Sequence, residues 1–195
     1  MPTAVDFLNP EHARKWTEET PGKRPWRTSF FAAFCAALRG PRLHVVELGS
    51  GPGHLAREIV TRCDVAAYVA LDFSAAMHDL ARAHLGPLAA RVTFVTRDFR
   101  TPAWRDGLAA PDAIVTLQAV HETRHKRRAL PLFAQARALL RPGGQLLYAD
   151  GYHADGVKPG LCLDRGEQPE VLHAAGFARV ELLHDEGGMA LYAAS

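Results

Sequence analysis

Residues 45 to 53 read VVELGSGPG, an apolar run that ends in an acid and passes into alternating glycines. Gly49, Gly51 and Gly53 permit a tight turn and let a ligand approach backbone without a Cβ in the way. A helical pattern follows, and a helix N-terminus behind such a turn offers unpaired N–H groups to a polar or anionic ligand. A dinucleotide fingerprint, G-x-G-x-x-G, would need a third glycine where His54 stands, which argues against NAD. About twenty residues further on, ALDFS ends an apolar run with Asp72, where a carboxylate can accept both hydroxyls of a ribose. RDF places Asp98 and Phe99 at the end of the next such run.

A second constellation lies at 121 to 125, where HETRH fits H-E-x-x-H, two histidines one helical turn apart with a glutamate to activate water. Taken alone it describes a zinc hydrolase, His121 and His125 binding metal beside Glu122. No third ligand follows at the expected spacing, since KRRAL comes next and the next acid is Asp150. With ten histidines in the chain, a chance match is unsurprising, and no metal is expected.

The elements that position these residues follow a regular alternation. LHVVEL, AAYVALD, RVTFVTRD, DAIVTLQA and QLLYAD are short apolar runs separated by helical patterns such as HLAREIVTRC, SAAMHDLARAHLG and RRALPLFAQARALL. This is the signature of βα units around a parallel sheet whose strands are covered on both faces. Pro131 predicts that the last of these helices begins near it or kinks there. ARVELLHDE and MALYAAS flank Gly187 and Gly188 as a hairpin, and PEVLHAAG predicts a short helix capped by Gly176. The run 151 to 168 reads as irregular. Before the sheet, SFFAAFCAALRGP predicts a helix burying Phe30, Phe34, Ala37 and Leu38, and Pro21, Gly22 and Pro25 predict a loop over 17–27.

The motif ELGSGPG resembles the first motif of class I S-adenosylmethionine-dependent methyltransferases, and IVTLQAVHE and LLRPGGQLLYAD continue the resemblance. It covers residues 43 to 195. It implies an α/β, Rossmann-like three-layer sandwich with a seven-stranded, mostly parallel sheet and an antiparallel last strand. It further implies a core over 41–195 and an N-terminal helical arm or lid over 1–40. S-adenosylmethionine would lie against Glu47, Gly49, Ser50, Gly51 and Gly53, against Asp72 and Phe73, and against Asp98, Phe99 and Leu117, with Asp98 and Phe99 at the adenine. In this frame His121 and Glu122 sit just past the fourth strand, at the carboxyl edge where a doubly wound sheet places ligands. They are the candidate catalytic residues, His121 as a base because its ordinary pKa lies near neutrality, with a merely packed or capping histidine as the alternative. Trp16, Trp26 and Arg27 either cover the cofactor or pack an amphipathic arm.

Composition sets the remaining bounds. The chain has 195 residues, 48% hydrophobic and 23% charged, as expected of one globular domain. A net charge of +2 is too small for a dedicated nucleic-acid surface. No N-P-P-Y run follows the fourth strand either, and the expected acceptor is a small molecule. The cluster Arg124, Lys126, Arg127 and Arg128 reads as a solvated face. Cys35, Cys63 and Cys162 form no CxxC pair, which fits a reducing, cytoplasmic setting. No apolar run is long enough to span a membrane, and the N-terminus lacks a signal-peptide core. Two other functions stay open, the zinc hydrolase and a non-catalytic S-adenosylmethionine-binding protein.

Overall fold

Apolar residues on both faces of the central strands require helices on both sides, and the computed structural model, which describes residues 5–23, 25–152 and 160–195, has that arrangement. In chain order the elements are α1 (Pro10–Lys23), α2 (Arg27–Ala37), β1 (Leu43–Leu48), α3 (His54–Arg62), β2 (Val65–Asp72), α4 (Ala75–Leu85), β3 (Val92–Thr96), β4 (Ala113–Leu117), α5 (Ala129–Leu139), β5 (Gln145–Gly151), α6 (Glu167–Ala174), β6 (Val180–Glu186) and β7 (Met189–Ala194). The described residues form one seven-stranded sheet of order β3-β2-β1-β4-β5-β7-β6. Strands β1 to β5 pair in parallel, and β7 runs antiparallel to both β5 and β6. The last strand alone is therefore reversed, as the sequence led one to expect.

Successive strand residues face opposite layers. Val45, Val115, Leu147 and Leu191 join Phe30 and Phe34 of α2 and Leu55 and Ile59 of α3. Val46, Ile114, Leu146 and Tyr192 join Leu132 and Phe133 of α5 and Leu172 of α6. Burial of each large apolar side chain stabilises the fold by roughly 1.5–3 kcal/mol, so both layers are needed. Pro131 lies in the first turn of α5, where its missing N–H breaks no helical bond. At the end of α6, Gly176 (φ 98°) and Phe177 return their N–H groups to the carbonyls of His173 and Leu172, closing the helix as a Schellman motif.

The structure corrects the expected loop over 17–27. Helix α1 continues through Pro21 and Gly22 to Lys23. Ala13 and Thr20 are buried, and the hydroxyls of Thr17 and Thr20 bond back to the carbonyls of Ala13 and Trp16. Packing outweighs the local breakers for one more turn. Of the irregular run 151–168, residues 153–159 lie outside the described residues. Among those described, no helix is long and apolar enough to cross a membrane.

Candidate active site

Strand order decides where the site forms. From β1 the chain turns toward β2, and from β4 it turns the other way, toward β5, so a crevice opens between the carboxyl ends of β1 and β4. Residues that follow β1, β2, β3 and β4 line it.

After β1, the N–H groups of Gly49 and Ser50 both bond to the carbonyl of Leu71, at 2.8 and 3.1 Å, which pins the turn to β2. Gly49 has φ 70°, and a Cβ there would stand 2.3 Å from the Cβ of Ala119. Only glycine lets the loops after β1 and β4 approach so closely. Gly51 differs, because a Cβ there would meet nothing within 4 Å and its face opens on the cavity. Its N–H donates to Asp72 Oδ2 at 2.8 Å. Gly53, φ 78°, precedes α3 as its N-cap and packs against Ala81 of α4, where a Cβ would stand 3.1 Å away.

Asp72 is buried, with Oδ1 accepting from the N–H of Ser74 at 2.9 Å. Burial raises its pKa, and the amides of Ser74, Gly51 and Phe73 oppose the rise. Each carboxylate oxygen has two lone pairs, four acceptor sites in all, so the three amides leave one open. Glu47 is buried and takes a 2.8 Å hydrogen bond from Tyr68 Oη. Burial pushes its pKa up to about 8 against that hydrogen bond.

A cavity of about 280 Å³ is lined by Gly49, Gly51, Asp72, Phe73, Phe99 and Ala119 on one side, and by His121, Glu122, Arg124 and Leu161 on another, with Phe7 and Trp16 from the arm. Next to it, a smaller cavity is lined by Arg27, Glu47, Ser50, His54, Leu117 and Gln118. Among the described residues, Ser50 Oγ and His54 Nε2 are buried there without a hydrogen-bond partner. Burial and the neighbouring His84 lower the His54 pKa to about 4, so this ring is neutral at physiological pH. Asp98 lines a third cavity beside Phe73 and Phe99. Its carboxylate is engaged by Arg100, at 2.7 Å from Nη2. Trp16 and Arg27 thus border the crevice, whereas Trp26 packs over the Gly187 turn of the hairpin.

His121 stands on a 3-10 turn, Val120–Thr123, held from β5. Asp150, buried at the end of β5, accepts from the His121 backbone N–H at 2.9 Å and meets Nδ1 at 2.7 Å. Nε2 is 3.5 Å from Glu122 Oε1. Burial alone would lower the His121 pKa, but Asp150 and Glu122 outweigh it and raise the value to about 10. Asp150 was not singled out as a partner from the sequence, although an acid ending a parallel strand is the signal that marked Asp72. Gln118 was also missed. It lines both the main and the smaller cavity with a left-handed backbone, φ 53°, and propensity offers no sign of that.

The HETRH segment does not form the helix that a zinc motif needs. Arg124 is left-handed (φ 63°), and His125 is extended, with its Nδ1 accepting from the Arg127 N–H at 3.1 Å. The two histidines therefore share no helical face, and no three His, Cys, Asp or Glu side chains among the described residues cluster as metal ligands. Dialysis against a strong chelator is expected to leave both melting temperature and activity unchanged. Loss of stoichiometric zinc together with activity would contradict this geometry. The basic cluster is mostly engaged locally, Lys126 with Glu167 at 2.6 Å and Arg128 with the Thr123 carbonyl at 3.2 Å.

Comparison with known proteins adds a family to this geometry. Residues 45–144, from within β1 to the turn before β5, match the model of the methyltransferase domain. Among curated proteins, the hybrid PKS-NRPS synthetase fsa1 of Fusarium sp. (strain FN080326) is 29% identical over 129 residues, covering 64% of this chain and 3% of that protein. The polyketide synthase-nonribosomal peptide synthetase pyiS of Pyricularia grisea is 24% identical over 192 residues, covering 83% of this chain and 5% of that protein. The chain thus spans only a small fraction of the length of these relatives. Among solved structures, an O-methyltransferase family protein from Burkholderia thailandensis superposes with a TM-score of 0.78 at 20% identity, covering 97% of this chain and 61% of that one. The DhpI–SAH complex superposes at 0.70 with 23% identity, covering 98% and 96%. Identities this low speak to the fold, whereas the family model spans half of the sequence and contains the glycine turn, Asp72 and His121. On that match the chain belongs to the methyltransferase domain family, the class of S-adenosylmethionine-dependent enzyme that its glycine turn resembles.

Proposed function

We propose that the protein transfers the methyl group of S-adenosylmethionine to a small-molecule acceptor, with residues 41–195 as the working core and 1–40 as an arm over the site. The observation that carries this reading is the pinned Gly49–Gly51 turn, with Asp72 behind it and His121 facing the same cavity. The residues suit the cofactor. Asp72 keeps an open acceptor site for a ribose hydroxyl, and Gly51 leaves its approach open. The unpartnered hydroxyl of Ser50, with Arg27, Glu47 and Leu117 around it, suits the amino-acid end of the molecule. Phe73 and Phe99 offer apolar walls to the adenosyl group, with Asp98 at its rim.

The sulfonium supplies an electrophilic methyl and a neutral leaving group. The protein's task is to hold acceptor and donor in near-attack geometry and to exclude water. His121 takes the acceptor's proton at Nε2, Asp150 fixes the ring through Nδ1, and Glu122 orients the ring or the acceptor. The synthetases that share this segment are by name makers of polyketides and nonribosomal peptides, which supports a small-molecule acceptor over nucleic acid. The three free cysteines support a cytoplasmic setting.

Titration calorimetry tests the cofactor assignment. S-adenosylmethionine and S-adenosylhomocysteine should bind and NAD should not. Asp72→Ala should weaken binding by roughly 1–3 kcal/mol, the penalty for stranding the hydrogen-bond partners of a buried polar ligand. No heat with either sulfur compound, from folded protein, would sink the proposal.

A further inference from the structure

Ser74, the residue before α4, is completely buried, and its N–H and hydroxyl together make three hydrogen bonds to three parts of the molecule. Its N–H donates to Asp72 Oδ1 at 2.9 Å, and its Oγ accepts from the Met77 N–H at 3.1 Å, capping α4. The same Oγ donates to the carbonyl of Phe7. Capping alone needs only an acceptor, which aspartate or asparagine would supply equally well. A hydroxyl is needed because it accepts and donates at one atom.

The partner of that donated bond is held ready. Asp6 Oδ1 accepts from the Leu8 N–H at 3.0 Å, and Asn9 caps α1 by accepting from the Glu11 N–H at 2.9 Å, so residues 6–9 form a turn fixed by its own bonds. The Phe7 ring lies edge-on to Trp16 at 5.4 Å and to Phe73 at 6.5 Å. It lines both the main cavity and the one beside Asp98.

We propose that Ser74 is a positioning residue for methyl transfer: its hydroxyl latches the Phe7 carbonyl and so seats the Phe7 ring as a roof over the cofactor. This rests on the reading that the main cavity takes S-adenosylmethionine. One residue then sets both the ribose carboxylate beneath the ligand and the aromatic cover above it. Release of the product cofactor requires that bond to open and the ring to withdraw.

The test is the dissociation rate of S-adenosylhomocysteine from the full chain, read by tryptophan fluorescence in stopped flow, since Trp16 borders the cavity. Ser74→Ala and Phe7→Ala should each speed release about tenfold, the weight of one hydrogen bond or one apolar contact. The double variant should be little faster than either single one, because the ring roofs the site only while latched. Ser74→Ala also loses a helix cap and should melt lower, whereas Phe7→Ala leaves the cap intact and keeps the test open if the first variant folds poorly. A lower melting temperature with unchanged release from Ser74→Ala, unchanged release from Phe7→Ala, or multiplying effects in the double variant would overturn the latch. Failure of the unaltered protein to bind S-adenosylhomocysteine would instead overturn the cofactor assignment.

Discussion

His121→Ala should lower turnover by roughly a hundred- to ten-thousandfold, the usual weight of a positioned general base, and leave affinity for S-adenosylhomocysteine nearly unchanged. The separation follows from the sheet: the proposed adenosyl contacts come from the ends of β1, β2 and β3, while His121 follows β4 and is braced from β5. The pH dependence sharpens the expectation. Asp150 and Glu122 hold His121 up to about pKa 10, so below that pH the ring is mostly imidazolium and cannot accept a proton. Turnover should therefore rise with pH by about tenfold per unit through neutrality, because the fraction of neutral base does so, and level off near the raised pKa. Asp150→Asn removes the counter-charge and leaves burial, which favours the neutral ring, so the plateau should move to lower pH. The acceptor must first be found by screening small phenols, amines and carboxylates for S-adenosylhomocysteine release. Full turnover by His121→Ala at every pH would show that positioning alone accounts for the rate.

Gly49→Ala should be the most damaging added methyl among the described glycines. At φ 70° an L-residue costs about 1–2 kcal/mol, and overpacking adds about 1–3 kcal/mol, because the new Cβ would stand 2.3 Å from that of Ala119. Urea unfolding should show a loss of roughly 2–5 kcal/mol, the sum of those two terms. Gly51→Ala, with φ 52° and open space around its Cβ, should bear only the backbone cost yet lose cofactor affinity, since its methyl enters the cavity. If Gly49→Ala proved as stable as the unaltered protein, the close approach of the loops after β1 and β4 would be refuted.

Where periodicity or turn chemistry acts locally, the sequence was readable. The unbroken apolar strands, Pro131 in the first turn of α5 and the Gly187–Gly188 hairpin all depend on neighbours in the chain. The glycine turn and Asp72 were legible for the same reason, each being a short pattern at the end of a strand. Pairings made by the sheet were not. Asp150 stands 29 residues from His121, and only the β4–β5 register, with Leu117 beside Ala149, brings them together. Tyr68 reaches Glu47 and Ser74 reaches Phe7 by the same kind of long-range closure. The HETRH pattern misleads as a helix because Arg124 turns left-handed in its middle, and no residue there announces it.

The place of β7 has a consequence for synthesis. It follows β6 in the chain but lies between β5 and β6, with Met189 and Leu191 fully buried. During translation β6 therefore emerges before β7, the strand that joins it to the sheet among the described residues, and it must wait beside an open β5 edge until residues 189–194 are free. A nascent chain stalled short of residue 189 would expose that apolar edge to other chains, the state in which an aggregation-prone intermediate meets chaperones.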